Sequence, residues 1–127
     1  MTDVVLDASA LIALLRREPG ADRVGAVLDR AWISTVNLAE VVAKGVERGT
    51  SLADVTAALA ELPIRVEPFT ADDAYRSGSL RAATRSAGLS LGDRCCLALG
   101  LRTGFPVLTA EQTWGTLGLA VRIETIR

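Results

Sequence analysis

Four carboxylates, Asp7, Glu40, Asp93 and Glu111, stand at the margins of apolar segments, where an unpaired charge is costly to bury. The chain has no histidine, which excludes Ser-His-Asp triads, histidine acid–base catalysis and histidine-ligated zinc from its own residues. Its two cysteines, Cys95 and Cys96, are adjacent, too few for a structural zinc site and wrongly spaced for a redox pair, and read as small core residues. Any chemistry therefore rests on carboxylates, hydroxyls, amides and arginines. Carboxylate oxygens, together with water and a phosphate oxygen, form the preferred shell of Mg²⁺ or Mn²⁺. A bound cation is also one of the few ways such a chain can activate water near neutral pH.

The elements that must carry these acids alternate. "DVVLD" (3–7) reads as a strand and "SALIALLRREPG" (9–20) as a helix stopped by Pro19-Gly20. A second helix is expected over 21–30, then a strand in "AWIS" (31–34). A helix over 35–49 follows, with Thr35 as N-cap and Gly49 as stop. Further helices are expected over 51–62, 70–88, 92–104 and 110–118, and strands over 64–69, 105–109 and 120–126. The segment 92–104 is apolar almost all round, so it belongs in the interior. Strands alternating with helices predict one domain over 1–127, a three-layer α/β/α sandwich with a mostly parallel central sheet. Ligands of such sheets bind beyond the carboxyl ends of the strands. Asp7 ends the first strand, Glu111 lies just past the strand 105–109, Asp93 opens the buried helix, and Glu40 lies in the helix after "AWIS".

Each acid also has a purely structural reading. Asp7 can cap the helix beginning near Ser9, and Ser90 with Asp93 forms an S-x-x-D capping-box pattern. Glu111 in a first helical turn would complement the helix dipole. Glu40 shares a polar stripe with Asn37, Lys44 and Glu47, opposite Leu38, Val42 and Val46, and a solvated Glu40–Lys44 pair would account for it. Convergence of four acids on one sheet edge favours a cation, and spacing alone leaves both readings open. Asp72 and Asp73, after an N-cap Thr70, read as first-turn acids outside any site.

The balance of 14 basic and 15 acidic residues gives a net charge of −1, so nucleic-acid binding would need a local patch. All basic residues but Lys44 are arginine, a bias that fits either GC-rich coding or a preference for phosphate. Mean hydropathy is +0.32, yet no apolar run approaches the ~20 residues of a membrane span. The start of the chain lacks the order of a signal peptide, so a cytoplasmic protein is expected.

Four stretches in order, "VVLDASALIALL", "VNLAEVV", "GLSLGDRCCLALG" and "VLTAEQTW", resemble the motifs of PIN domains, and among them the VapC-like toxins, over essentially the whole chain. The resemblance implies a metal-dependent endoribonuclease, the toxin of a toxin–antitoxin pair, acting on tRNA or rRNA with one or two Mg²⁺ or Mn²⁺ ions. Asp7, Glu40 and Asp93 fall on the family's metal-binding carboxylates. Ser9 falls on the hydroxyl that supports the first of them, and Asn37 and Thr109 are polar groups behind the ligands. The family usually has T-x-D where this chain has Thr109-Ala110-Glu111, so Glu111 is expected as a weaker or water-mediated ligand. Trp114 matches an aromatic that packs. The family reading also implies 5′-phosphate and 3′-hydroxyl products, a homodimer and a VapB-like antitoxin, whose arginine could enter the acidic pocket. Arg94, Arg81 and Arg85 are the first candidates for holding RNA, with Arg16, Arg17 and Arg76 behind them. Two other readings stand beside this one. The departure at Glu111 allows a catalytically weakened protein that binds RNA or a partner. A phospho-receiver module fits the size, but it needs paired acids after the first strand and a lysine near the chain's end. A dinucleotide-binding domain or a D-x-D phosphatase fails on "LDASAL".

Overall fold

The run Val4–Leu6 forms β1, buried throughout, in a computed structural model that describes residues 2–127. With β2 (Ala31–Ser34), β3 (Arg65–Glu67), β4 (Val107–Thr109) and β5 (Ile123–Thr125) it makes a five-stranded sheet in the order β3-β2-β1-β4-β5. Every pairing is parallel. The central strand therefore pairs on both sides, with Val5 opposite Trp32 of β2 and Val107 of β4.

Alternation along the strands builds two cores. Val4 and Leu6 point into one with Leu11, Ala31, Ile33, Val41 and Leu108. Val5 points into the other with Cys96, Leu97, Leu99, Val107 and Trp114. The first core is roofed by α1 (Ala8–Arg16) and α2 (Ala21–Gly25), with α3 (Thr35–Glu47) and α4 (Leu52–Ala60) beside them. The second lies under α7 (Leu91–Thr103), on which α5 (Ala71–Ser79) packs, with the short α6 (Arg81–Thr84) following α5. This is the expected α/β/α sandwich, and both cysteines are buried in its interior. No helix among the described residues is long and apolar enough to cross a membrane.

Several elements differ from the sequence expectation for local reasons. The helix expected over 21–30 ends at Gly25 and resumes as a 3₁₀ turn, Leu28–Arg30. The helix expected over 70–88 breaks at Leu80. There Ser79 Oγ donates to Arg76 O (2.7 Å) and Thr84 Oγ1 to Leu80 O (2.8 Å), carbonyls that also accept the N–H groups of Leu80 (3.3 Å) and Thr84 (3.1 Å). The helix expected over 110–118 is a single 3₁₀ turn, Trp114–Thr116. Ser34, not Thr35, caps α3, and Thr35 Oγ1 instead accepts the N–H of Phe69 (3.1 Å).

Asp73 keeps the structural role the sequence gave it. It completes a capping box with Thr70, and Arg102 of α7 donates to both its oxygens (2.8 and 3.3 Å). Burial pushes its carboxyl up, but the Thr70 N–H and the Arg102 guanidinium outweigh that and hold it below the usual carboxylate range. The pair pins α5 to α7.

Gly100 marks where α7 lies closest to the sheet: a Cβ there would stand 2.6 Å from Val107 Cγ2 and 2.9 Å from Val121 Cγ2. Both neighbours are β-branched and stiff. Gly78, on the exposed face of α5, has nothing within 4 Å of such a Cβ. The same substitution should thus act with opposite signs. Gly100→Ala is expected to lower stability by about 1–3 kcal/mol through overpacking, and Gly78→Ala to raise it by up to about 1 kcal/mol. Urea unfolding of the two variants checks both.

Candidate active site

Asp7 follows β1 directly, and its backbone is fixed by an N–H donated to Leu108 O (2.9 Å). Its backbone stands at the N-cap of α1, but its side chain makes no capping hydrogen bond, so the cap reading of this residue does not hold. The carboxylate turns instead to two hydroxyls. Ser9 Oγ donates to Asp7 Oδ2 at 2.6 Å and Thr109 Oγ1 donates to the same oxygen at 3.0 Å. Each hydroxyl in turn accepts a backbone N–H, Ser9 from Ala110 (2.9 Å) and Thr109 from Glu111 (3.0 Å). With their protons committed to Asp7 and their lone pairs to the main chain, both hydroxyls are oriented. The turn after β4 is thereby tied to the end of β1.

Asp7 is only 3% exposed. Burial, with the nearby negative charges of Asp93 and Glu40, raises its carboxyl to about 6, against the opposing pull of the Ser9 and Thr109 hydrogen bonds. The field thus joins three acids from three elements: the end of β1, the middle of α3 and the first turn of α7. Among the described residues no Arg or Lys forms an ion pair with any of them, or with Glu111.

Glu40 is not the solvated partner of Lys44, which pairs with Glu47 (3.8 Å). Its Oε1 accepts from Asn37 Nδ2 (2.8 Å), and the same amide donates to Gly92 O (3.0 Å) at the start of α7. Asn37 is fully buried beside Val41, whereas Val46 is exposed, so the stripe read as solvated on α3 is in part the inward one. Asp93 does cap: its Oδ2 accepts the Ser90 N–H (2.9 Å), and Ser90 Oγ accepts the Asp93 N–H (3.2 Å). Glu111 lies in the irregular turn after β4, outside any helix, with its side chain exposed, so it complements no helix dipole. Trp114 is buried at 1% exposure and packs in the second core.

Of the arginines singled out, Arg81 and Arg85 are exposed at α6 and the turn after it. Arg94 is half-buried, with an Nε that is shielded and unpartnered. The sequence reading did not single out Gly92, although its carbonyl is a fixed point of the site.

The donors are hard oxygens throughout, which fits Mg²⁺ or Mn²⁺ and not a soft metal. A buried carboxylate with two further acids in its field and no cationic side chain against it is also the electrostatic arrangement a divalent ion would relieve. As the side chains stand, no three acidic or cysteine groups among the described residues close around one point.

Residues 4–115 match the PIN domain family. The chain belongs to that family. Among curated proteins no sequence match is found. Solved structures with the same fold include a toxin–antitoxin complex from Klebsiella pneumoniae (20% identity, TM-score 0.79, 98% of each chain covered). A DNA-bound VapBC from Salmonella typhimurium is 19% identical with a TM-score of 0.75 and full coverage of both chains. VapC20 of Mycobacterium tuberculosis, a sarcin–ricin-loop-cleaving toxin, is 20% identical with a TM-score of 0.75, covering 94% of this chain and 99% of that one. At such identities the likeness is one of fold.

In this PIN domain the ionised form of Asp7 is a burden on the metal-free fold. The folded pKa lies above the unfolded value, so stability is greatest while Asp7 is protonated and declines as pH rises from about 4 through about 6. A shift of about two units corresponds to about 3 kcal/mol. In the presence of chelator, Asp7→Asn is therefore expected to be more stable than the parent at pH 8 by about 1–3 kcal/mol. It should also lack the parent's decline between pH 4 and 6. Urea titrations across that range test this; a destabilised Asp7→Asn protein at pH 8 would count against the electrostatics described.

Proposed function

We propose that this PIN domain is a metal-dependent endoribonuclease, the toxin of a VapBC-like toxin–antitoxin pair. The observation that carries the reading is the buried Asp7 carboxylate, oriented by two hydroxyls, in the field of Glu40 and Asp93 with no cationic side chain in an ion pair with it. Asp7, Glu40 and Asp93 would hold one or two Mg²⁺ or Mn²⁺ ions, with Glu111 a weaker or water-mediated contributor from the rim. When bound, the cation supplies a lowered pKa for water and neutralises charge building on a phosphodiester.

The protein's part is orientation. Ser9 and Thr109 fix one oxygen of Asp7 and so determine which lone pairs of that carboxylate face the site. The Ser90 N–H does the same for Asp93, leaving its other oxygen for ligation. Burial keeps bulk water from screening the acids, which strengthens their hold on a cation. Water as nucleophile does not need the ribose 2′-hydroxyl and so forms no 2′,3′-cyclic phosphate, and the PIN resemblance implies products with 5′-phosphate and 3′-hydroxyl ends. Arg94, Arg81 and Arg85 are the proposed contacts to RNA phosphates, each removable with a shallower salt dependence of affinity. A VapB-like antitoxin is the proposed partner, in keeping with the complexes whose toxin chains share this fold, and a homodimer the proposed assembly.

A second reading, a PIN-fold protein that binds RNA or a partner without cleaving, is favoured by Glu111, whose exposed side chain replaces the family's usual aspartate. One experiment separates the two. The purified chain, free of antitoxin, is incubated with a tRNA and rRNA pool in Mg²⁺, Mn²⁺ or chelator, beside Asp7→Asn and Asp93→Asn proteins. Discrete metal-dependent cleavage, reduced at least about a hundredfold in both variants, is expected. Cleavage leaving 2′,3′-cyclic phosphate ends overturns the chemistry, and a folded protein inert in both metals supports the binding reading.

A further inference from the structure

Building on the reading of the carboxylate edge as a metal site, we propose that Asn37 and Gly92 form a positioning latch for Glu40. Together they fix its carboxylate over the first turn of α7, so that α3 and α7 present Glu40 and Asp93 to Asp7 as one unit.

Asn37 is 0% exposed, and its Nδ2 donates to Glu40 Oε1 at 2.8 Å and to Gly92 O at 3.0 Å. The orientation of the amide follows from these partners, since the flipped form would set its oxygen against a carboxylate and a carbonyl. That orientation leaves Asn37 Oδ1 buried without a hydrogen-bond partner.

Gly92 points the same way. A Cβ at this position would lie 2.6 Å from Glu40 Cδ and 2.6 Å from Oε1, and would also meet Oε2. Glycine is less favourable than alanine in a helix, yet it stands in the first turn of α7. An alanine there would occupy the place of the Glu40 carboxylate. An amide and a bare glycine, on two elements, thus converge on one side chain. A free glutamate samples many rotamers, and Mg²⁺-type coordination demands near-ideal geometry. The latch removes that freedom before the cation arrives.

The test uses the full chain as wild type, Asn37→Ala, Gly92→Ala, Glu40→Asp and the Gly92→Ala/Glu40→Asp double variant. Mn²⁺ alone is titrated into each metal-free protein by calorimetry, and each is melted in chelator. Asn37→Ala and Gly92→Ala should each weaken Mn²⁺ binding about ten- to a hundredfold. Glu40→Asp withdraws the carboxylate by one methylene and makes room for the new methyl. In that background Gly92→Ala should therefore cost no further affinity and should raise the melting temperature, in contrast to its effect on wild type. Unchanged Mn²⁺ affinity in both single variants, or strict additivity of Gly92→Ala and Glu40→Asp in the melts, overturns the latch. If wild type takes up no Mn²⁺, the metal reading fails and the melts decide the latch alone: non-additivity sustains it and additivity ends it.

Discussion

A carboxylate buried at the end of the central strand is the constraint around which this site is arranged. β1 pairs on both sides and is covered on both faces, so whatever follows Leu6 enters a place with little water. An aspartate there must find hydrogen-bond donors, and the neighbouring elements supply them. Thr109 comes from the end of β4 in register with β1, and Ser9 from the first turn of α1. Moving β4 by one residue against β1 would put Leu108 or Ala110 where the Thr109 hydroxyl now stands. The parallel pairing is therefore also what positions the site.

Comparison of Asp7 with Asp73 shows what separates a structural acid from a candidate ligand. Both are almost fully buried and both accept two or more hydrogen bonds. Asp73 has Arg102 against it, and its proton is held less tightly than in water. Asp7 has hydroxyls but no cation, and two acids act on it, so its proton is held more tightly. Hydrogen bonds from neutral groups offset part of the desolvation of a charge, whereas an opposite charge can reverse its effect. The molecule supplies the opposite charge at one aspartate and withholds it at the other.

Much of the fold was legible because it rests on patterns that local residues enforce. The strand–helix alternation, the caps at Thr70 and Ser90, and the buried character of α7 all follow from periodicity and capping chemistry, and all are present. Helix continuity was less legible. The break at Leu80, where Arg76 O and Leu80 O each accept a side-chain hydroxyl as well as a backbone N–H, is something no hydrophobic period records. On α3, Asn37 read as part of a solvated stripe, because polarity was taken for exposure. It is buried because its partners, Glu40 and the Gly92 carbonyl, are themselves at a packed helix junction. Gly92 carried a signal that went unused: a glycine placed immediately before an acid at a helix start, where any other residue would favour the helix more.

The structural and functional readings of an acid are not rivals when its two oxygens can be used separately. Asp93 illustrates this, since its capping box spends one oxygen on the Ser90 N–H and fixes the direction of the other. A ligand on a flexible loop would lose conformational freedom on meeting a cation; one held by its own helix cap has already lost it in folding. Asp7 reaches the same end by other means, with side-chain hydroxyls in place of backbone N–H groups and with its cap position left unused. Glu40, on the longest side chain of the three, has one carbon more to immobilise and no cap to do it. Asn37 and Gly92 lie against that longer side chain, as Ser9 and Thr109 lie against Asp7.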